Sequence, residues 1–371
     1  MIDRGIIDAL ESRLGRVWRR ARIDLPLIGA LLLVCAVGLM TLYSASAENP
    51  RQVLNQSLRL ALGFGVMLAF SRIPPMWFRT LTPWFYLTTM LLLVLVLMFG
   101  EGRGANRWLD LKVLRFQPSE LAKLALPMMV AWYLHTRALP PRWRDLFVCA
   151  VLISVPAMLI GMQPDLGTAL LVGASGAFVM FLAGIAWRRI LLLLAMGAAA
   201  IPLLWHFMHE YQRNRVRMLI NPESDPLGNG WNIIQSKIAV GSGGLLGKGW
   251  MGSTQARLDF LPEHTTDFIF AVYSEEFGLI GVILLMAVYL FIIGRGLWIA
   301  AHARDTWSRL IGGSISMTFF VYVMVNGGMI AGLLPVVGVP MPLISYGGTS
   351  AVSLLAGFGV LMSIHSHRRL A

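Results

Sequence analysis

Residues 267–293 read Asp267-Phe-Ile-Phe-Ala-Val-Tyr-Ser-Glu275-Glu276-Phe-Gly278-Leu-Ile-Gly-Val-Ile-Leu-Leu-Met-Ala-Val-Tyr-Leu-Phe-Ile-Ile293. Apart from Asp267 and the two glutamates the run is uncharged and largely apolar. As a helix it is long enough to cross the hydrocarbon core, which needs about 20 such residues. Nine further runs resemble it, near 25–43, 57–71, 82–99, 119–135, 145–161, 166–184, 187–205, 308–331 and 348–365. Composition agrees. Hydrophobic residues make up 57% and charged residues 13% of the 371, and the mean hydropathy is +0.68. A soluble domain carries about 25% charged residues, so this chain has too few to coat a water-facing surface. The expected fold is an all-α polytopic membrane protein with about ten transmembrane helices, spanning 25–371, and a large extracytoplasmic loop between helices 7 and 8, at 206–266.

The net charge of +12 follows from topology. With both termini in the cytoplasm, the surplus of Lys and Arg falls on the inner segments and the outer ones balance, which is the positive-inside pattern. No nucleic-acid partner is needed to explain it. Residues 1–24 place Ile6, Ile7, Leu10, Leu14, Val17 and Trp18 at helical spacing, with Arg13, Arg16, Arg19, Arg20 and Arg22 opposite. That predicts an amphipathic helix on the inner leaflet. Ala45-Ser-Ala47 mimics a signal-cleavage site, but the preceding run is long for a signal core and is read as a retained span. Cys35 and Cys149 both lie in apolar runs, so no disulfide framework is expected.

The 206–266 segment is too apolar for a solvated tether, with Trp231, Ile233, Ile234, Ile238, Leu245, Leu246 and Trp250. It is expected to return to the membrane surface as short helices. Its glycine run, Gly241-Ser-Gly-Gly-Leu-Leu-Gly247-Lys248-Gly249, fails as a phosphate loop. With the lysine at 248, that motif needs Gly at 242 and Ser or Thr at 249, where this chain has Ser and Gly. Arg213, Arg215 and Arg217, at spacing two, are read as one side of an extended segment.

Ionisable residues at membrane depth or at its edge are functional hypotheses by default. The outer face offers Glu120, Lys123, Asp165, Arg213, Arg215, Arg217, Lys237, Lys248, Glu263 and Asp267, with Glu275 and Glu276 deeper. Glu120 and Lys123 share a helix face, as a local ion pair or as substrate contacts. Asp165 sits in a tight turn, as a cap for the sixth span or as a ligand contact. Asp267 opens the eighth span, either as a helix-capping carboxylate or as a general base facing the basic loop. The second reading is chemically coherent for transfer from a sugar pyrophosphate. The leaving group is already good, cations stabilise its charge, and one carboxylate suffices to take the acceptor's proton. A divalent ion could share the phosphate role, but no ligand cluster marks it. Between 332 and 348, three prolines and four glycines predict a rigid, non-helical loop, tolerated at membrane depth only against protein or a cavity.

Several stretches together resemble the SEDS family (shape, elongation, division and sporulation). They are Arg107-Trp-Leu-Asp-Leu, Arg115-Phe-Gln-Pro-Ser-Glu120-Leu-Ala-Lys123, Gln163-Pro-Asp-Leu-Gly-Thr168, Asn221-Pro-Glu-Ser-Asp-Pro-Leu-Gly228, Gln235-Ser-Lys-Ile-Ala, Lys248-Gly-Trp250, Phe260-Leu-Pro-Glu-His-Thr-Thr-Asp267-Phe and Pro342-Leu-Ile-Ser-Tyr-Gly-Gly348. The resemblance covers nearly the whole chain after the N-terminal helix. It implies an inverting glycosyltransferase that polymerises lipid II and releases undecaprenyl pyrophosphate. It implies a class B penicillin-binding transpeptidase and the elongation machinery as partners. The family's essential aspartate falls on Asp267, and its membrane-edge pair on Glu120 and Lys123. The order His264-Thr-Thr before the aspartate departs slightly from the family pattern. Ser242-Gly-Gly, Lys248-Gly-Trp and Val336-Val-Gly-Val-Pro favour the elongation branch over the division branch. A lipid flippase is the rival reading, with Glu275 and Glu276 as proton carriers.

Overall fold

The computed structural model describes residues 23–100, 107–110, 115–208, 210–221, 223, 225 and 230–367. The expected amphipathic helix lies almost wholly outside them. The chain is a helical bundle, as its apolar runs demand. Its long helices are α1 (Leu25–Ala45), α2 (Pro50–Arg72), α3 (Pro75–Phe99), α4 (Pro118–Leu134), α5 (Trp143–Gly161), α6 (Leu166–Leu182) and α7 (Trp187–Phe207). Three short helices follow: α8 (Glu210–Ile220), α9 (Trp231–Ser242) and α10 (Thr254–Arg257). The bundle ends with α11 (Ile269–Ala301), α12 (Thr306–Ile330) and α13 (Gly348–His367). Seven of these are long and apolar enough to cross a membrane, and α6 is a shorter apolar helix. A two-residue hairpin pairs β1 (Leu109–Asp110) with β2 (Arg115–Phe116).

The sequence marks the helix ends chemically. Asp24, Asn49, Asp165 and Asp305 cap α1, α2, α6 and α12, each accepting a backbone N–H of the first turn. Pro74-Pro75 stops α2 and starts α3, since proline cannot extend the preceding helix but fits the first turn of the next. Helices α2 and α3 each begin seven residues before the expected apolar spans. Their first turns, around Arg51-Gln-Val and Met76-Trp-Phe-Arg79, are helical but not purely apolar.

Two features depart from simple bundling. Helix α11 is broken at Gly278, whose backbone (φ 63°, ψ −165°) only glycine adopts readily. Helix α7 makes no extensive contact with any other element among the described residues, and its described positions are half-buried or exposed. By contrast, α2 and α13 form the closest pair. Gly63 lies against Val352 and Leu355, and Gly359 against Met67 and Phe70. Small residues let membrane helices approach closely where the hydrophobic effect supplies no drive.

Candidate functional site

The site is built around the non-helical segment 331–347, between α12 and α13. Such a segment must find partners for its backbone groups, and it finds them at the start of α11. Tyr346 N donates to Thr265 O (2.9 Å), and Ser345 Oγ donates to Thr266 O (2.6 Å). Asn326, fully buried on α12, donates from Nδ2 to both Asp267 O (2.8 Å) and Val339 O (2.7 Å). A methyl on Gly338 would stand 3.5 Å from Asp267 Oδ2, so a glycine flanks the carboxylate. Asp267 itself is half-buried, in the turn before α11. The N-cap position belongs to Phe268, which makes no side-chain cap bond. Asp267 thus lies one residue before the N-cap, and its backbone is held against the 331–347 segment.

Glu120 and Lys123 do come together. Lys123 Nζ lies 2.7 Å from Glu120 Oε1, and both are buried. Ser353 Oγ on α13 donates to Glu120 Oε2 (2.7 Å), and Lys123 Nζ sits 5.1 Å over the Tyr322 ring. A small cavity of about 30 Å³ opens beside Lys123, Tyr322 and Ser353. Asp165 caps α6 through Thr168 N (3.2 Å) and is approached by Arg107 NH1 (3.6 Å). Its neighbour Gly167 packs directly on Val337 O of the 331–347 segment. Lys237, exposed on α9, lies across Gly332 at the other end of that segment, its Nζ 2.8 Å from where a methyl would stand.

The remaining predicted cations go elsewhere. Residues 213–217 are helical, not extended, so spacing two does not line one side. Arg213 and Arg217, four apart, share a face and both meet Glu210. Arg213 also closes the end of α7 by donating to Trp205 O (3.0 Å) and His206 O (2.8 Å). The position of Arg215 lies between them, and its side chain is outside the described residues. Lys248 Nζ lies 2.5 Å from Glu275 Oε1.

That last pair explains the glycine run. Glu275 is fully buried and also accepts from Ser253 Oγ (2.6 Å), Thr254 Oγ1 (2.7 Å) and Thr254 N (3.1 Å). Ser44 Oγ donates to the equally buried Glu276. The break at Gly278 frees backbone groups, and residues 244–249 satisfy them. Lys248 N and Gly249 N donate to Glu275 O and Glu276 O (both 3.0 Å), and Leu279 N donates to Gly244 O (2.9 Å). Gly247 and Gly278 touch backbone to backbone, leaving no room for a Cβ on either. The run is thus a splice into a broken helix. Glu275 is held by a cation and two hydroxyls. Among the described residues, no group of three or more His, Cys, Asp or Glu converges as a metal site.

The sequence reading missed Gln56 and Arg59 on α2. Gln56 Nε2 donates to Ser345 O (3.1 Å), and its Oε1 accepts from Gly347 N (3.3 Å). The Arg59 guanidinium lies 4.8 Å over the Tyr346 ring. Only their place at the mouth of a short predicted span pointed to them.

Comparison with known proteins decides the family. The family model for FtsW, RodA and SpoVE, described as cell cycle protein, matches residues 24–370. The chain belongs to this family. Within the FtsW/RodA/SpoVE family it is 49% identical over 355 residues to peptidoglycan glycosyltransferase MrdB of Escherichia coli K12, covering 95% of this chain and 96% of that one. It is 34% identical over 363 residues to the MrdB of Helicobacter pylori, covering 95% and 92%. Among solved structures, a chain from a study of how a peptidoglycan synthase complex coordinates polymerization and crosslinking aligns with a TM-score of 0.82 at 34% identity, covering 94% of this chain and 99% of that one. The Thermus thermophilus rod shape determining protein RodA aligns with a TM-score of 0.72 at 30% identity, covering 94% and 98%.

Proposed function

We propose that this chain is a peptidoglycan glycosyltransferase that joins lipid II disaccharide units into β-1,4 glycan strands during cell elongation, releasing undecaprenyl pyrophosphate. The observation that carries this reading is the 49% identity over 95% of the chain to a protein of that activity. The branch assignment follows from the same comparison, since relatives named FtsW reach 34–35%. The membrane is the bacterial inner membrane, with both termini in the cytoplasm. The end carrying Asp267 and the 206–266 segment faces the periplasm.

The geometry supports a specific division of labour. Asp267 is a single carboxylate, half-buried and fixed by Asn326 through its own carbonyl. It takes the proton from the acceptor 4-hydroxyl as that oxygen attacks the anomeric carbon from the face opposite the pyrophosphate. One bond forms, the C–O bond to pyrophosphate breaks, and the anomeric configuration inverts. No second carboxylic acid is needed, because pyrophosphate leaves without protonation. The Glu120–Lys123–Ser353 cluster and Lys237 contribute substrate contacts at the two ends of the 331–347 segment. Helix α7 meets its neighbours through its first turn, where Arg189 donates to Pro141 O and Trp187 meets Phe181, and the looser packing beyond it leaves a lateral way in for a polyprenyl chain. A class B penicillin-binding transpeptidase is the partner that crosslinks the product. The aligned peptidoglycan synthase complex supports that pairing.

The test is polymerisation of fluorescent lipid II by the purified chain with a transpeptidase partner that lacks polymerase activity. Wild type is expected to yield glycan ladders. Asp267→Asn, isosteric but unable to take a proton, is expected to lose at least about 100-fold in rate, the low end of general-base contributions. Ladders at the wild-type rate from Asp267→Asn would remove the base assignment. Translocation of lipid II without any ladder would favour a flippase.

A further inference from the structure

The cations that the sequence offered as phosphate ligands are mostly neutralised. Lys123 is paired with Glu120, Lys248 with Glu275, and Arg213 and Arg217 with Glu210. Two cations at the 331–347 segment differ. Lys237 lies on Gly332 where the segment begins, and Arg59 lies on Gly348 where it ends. Among the described residues, neither has a carboxylate within ion-pair distance. Asp267 lies between them along the segment, beside Gly338.

Arg59 is unusual for its place. It is half-buried, nine residues into α2, about 14 Å along the axis from Pro50 at 1.5 Å per residue. It lies two residues inside the apolar run that begins near 57, where a charge packed between helices is costly unless paired or used. Its described partner is the Tyr346 ring, a cation–π contact. Its position is built with care. Gly63, one turn on, lets α2 close on α13, and Gly348 leaves the guanidinium room, its Nε 3.0 Å from where a methyl would be. Gln56, nearly one turn earlier, pins Ser345 and Gly347 on either side of Tyr346. The ring lies against the guanidinium, whose N–H groups run along its edges. Those edges form the planar fork that matches phosphate oxygens. Residues 346–350 beside it are half-exposed, so the edge is reachable.

We propose that Arg59 binds the diphosphate of one lipid-linked substrate, on the far side of Asp267 from Lys237. This rests on the polymerase reading, in which donor and acceptor each carry a polyprenyl diphosphate. One such group per cation would place the two sugars at the intervening carboxylate. Arg59 is a binding residue here. It makes no bond to the reacting sugar.

Binding separates this from a purely structural role. The full chain in nanodiscs is titrated with undecaprenyl diphosphate and, separately, undecaprenyl monophosphate. Wild type is expected to prefer the diphosphate. Arg59→Ala is expected to lose at least about tenfold in diphosphate affinity, the effect of losing hydrogen bonds to a charged group, and to lose the preference. Arg59→Lys should fall between, and Tyr346→Phe, which keeps the ring, should bind as wild type. Wild-type affinity and preference in Arg59→Ala would overturn the proposal. So would an equal loss for both lipids, which is what a collapsed helix pair would give. Asp267→Asn should bind as wild type. If it also polymerises normally, the base assignment falls while the Arg59 result stands. A wild-type chain that prefers no diphosphate overturns the Arg59 site without touching the base.

Discussion

The two ends of the 206–266 segment are attached in opposite ways. At its C-terminal end, residues 244–249 share backbone hydrogen bonds with the break in α11, and the turn before α11 is bonded to Asn326, Ser345 and Tyr346. At its N-terminal end, α7 and α8 join each other through Arg213 but make no extensive contact with the bundle. The first region is fixed by polar bonds between segments distant in sequence. The second is an apolar helix whose Leu191, Leu192 and Leu193 are exposed. A reaction between two lipid-linked sugars needs both. The reacting atoms must be placed to within fractions of an ångström, while the substrates and a lengthening product must pass.

Substitutions can sharpen this contrast. The largest effect is expected at the splice. A methyl at Gly278 would overlap Gly247 N and impose a left-handed backbone on a residue with a Cβ. Gly278→Ala should cost about 3 kcal/mol, visible as a clear drop in the thermal unfolding temperature of the purified chain. No drop would mean that the two backbones part easily. Asn326→Ala comes next. It leaves Asp267 O and Val339 O without their shared donor, at about 1–3 kcal/mol. Polymerisation should slow by about tenfold or more at saturating lipid II, with lipid II affinity little changed. A loss of affinity at a normal rate would show that Asn326 serves the substrate and not the base. The smallest effect is expected on α7. Leu192, 47% exposed, should tolerate Ala within about 0.5 kcal/mol of unfolding stability. A larger loss would show that α7 packs on the bundle after all.

What could be read from the sequence follows from the kind of interaction involved. Spans were legible because the hydrocarbon core imposes a minimum apolar length, and the 331–347 segment because proline and glycine forbid a helix. Asp267 stood out as a charge at the mouth of an apolar run. The Gly247–Gly278 contact was not legible, since it joins two backbones with no side chain to mark the pairing. Arg213–Arg217 were misread because period two suggests a strand. The surrounding polar residues give no apolar alternation to support that, and Glu210 pairs with both arginines on one helical face. Arg59 was hidden by its address, since an arginine at a span's edge reads as ordinary anchoring until Tyr346 is placed over it.

The pairing of α2 with α13 has a consequence for assembly. An early helix must wait for a much later one, because Gln56 and Arg59 meet these partners only at residues 345–348. Until α13 is in place, the side chains of Gln56 and Arg59 therefore stand in a partly inserted chain without these contacts, and the 331–347 segment without its anchor on α2.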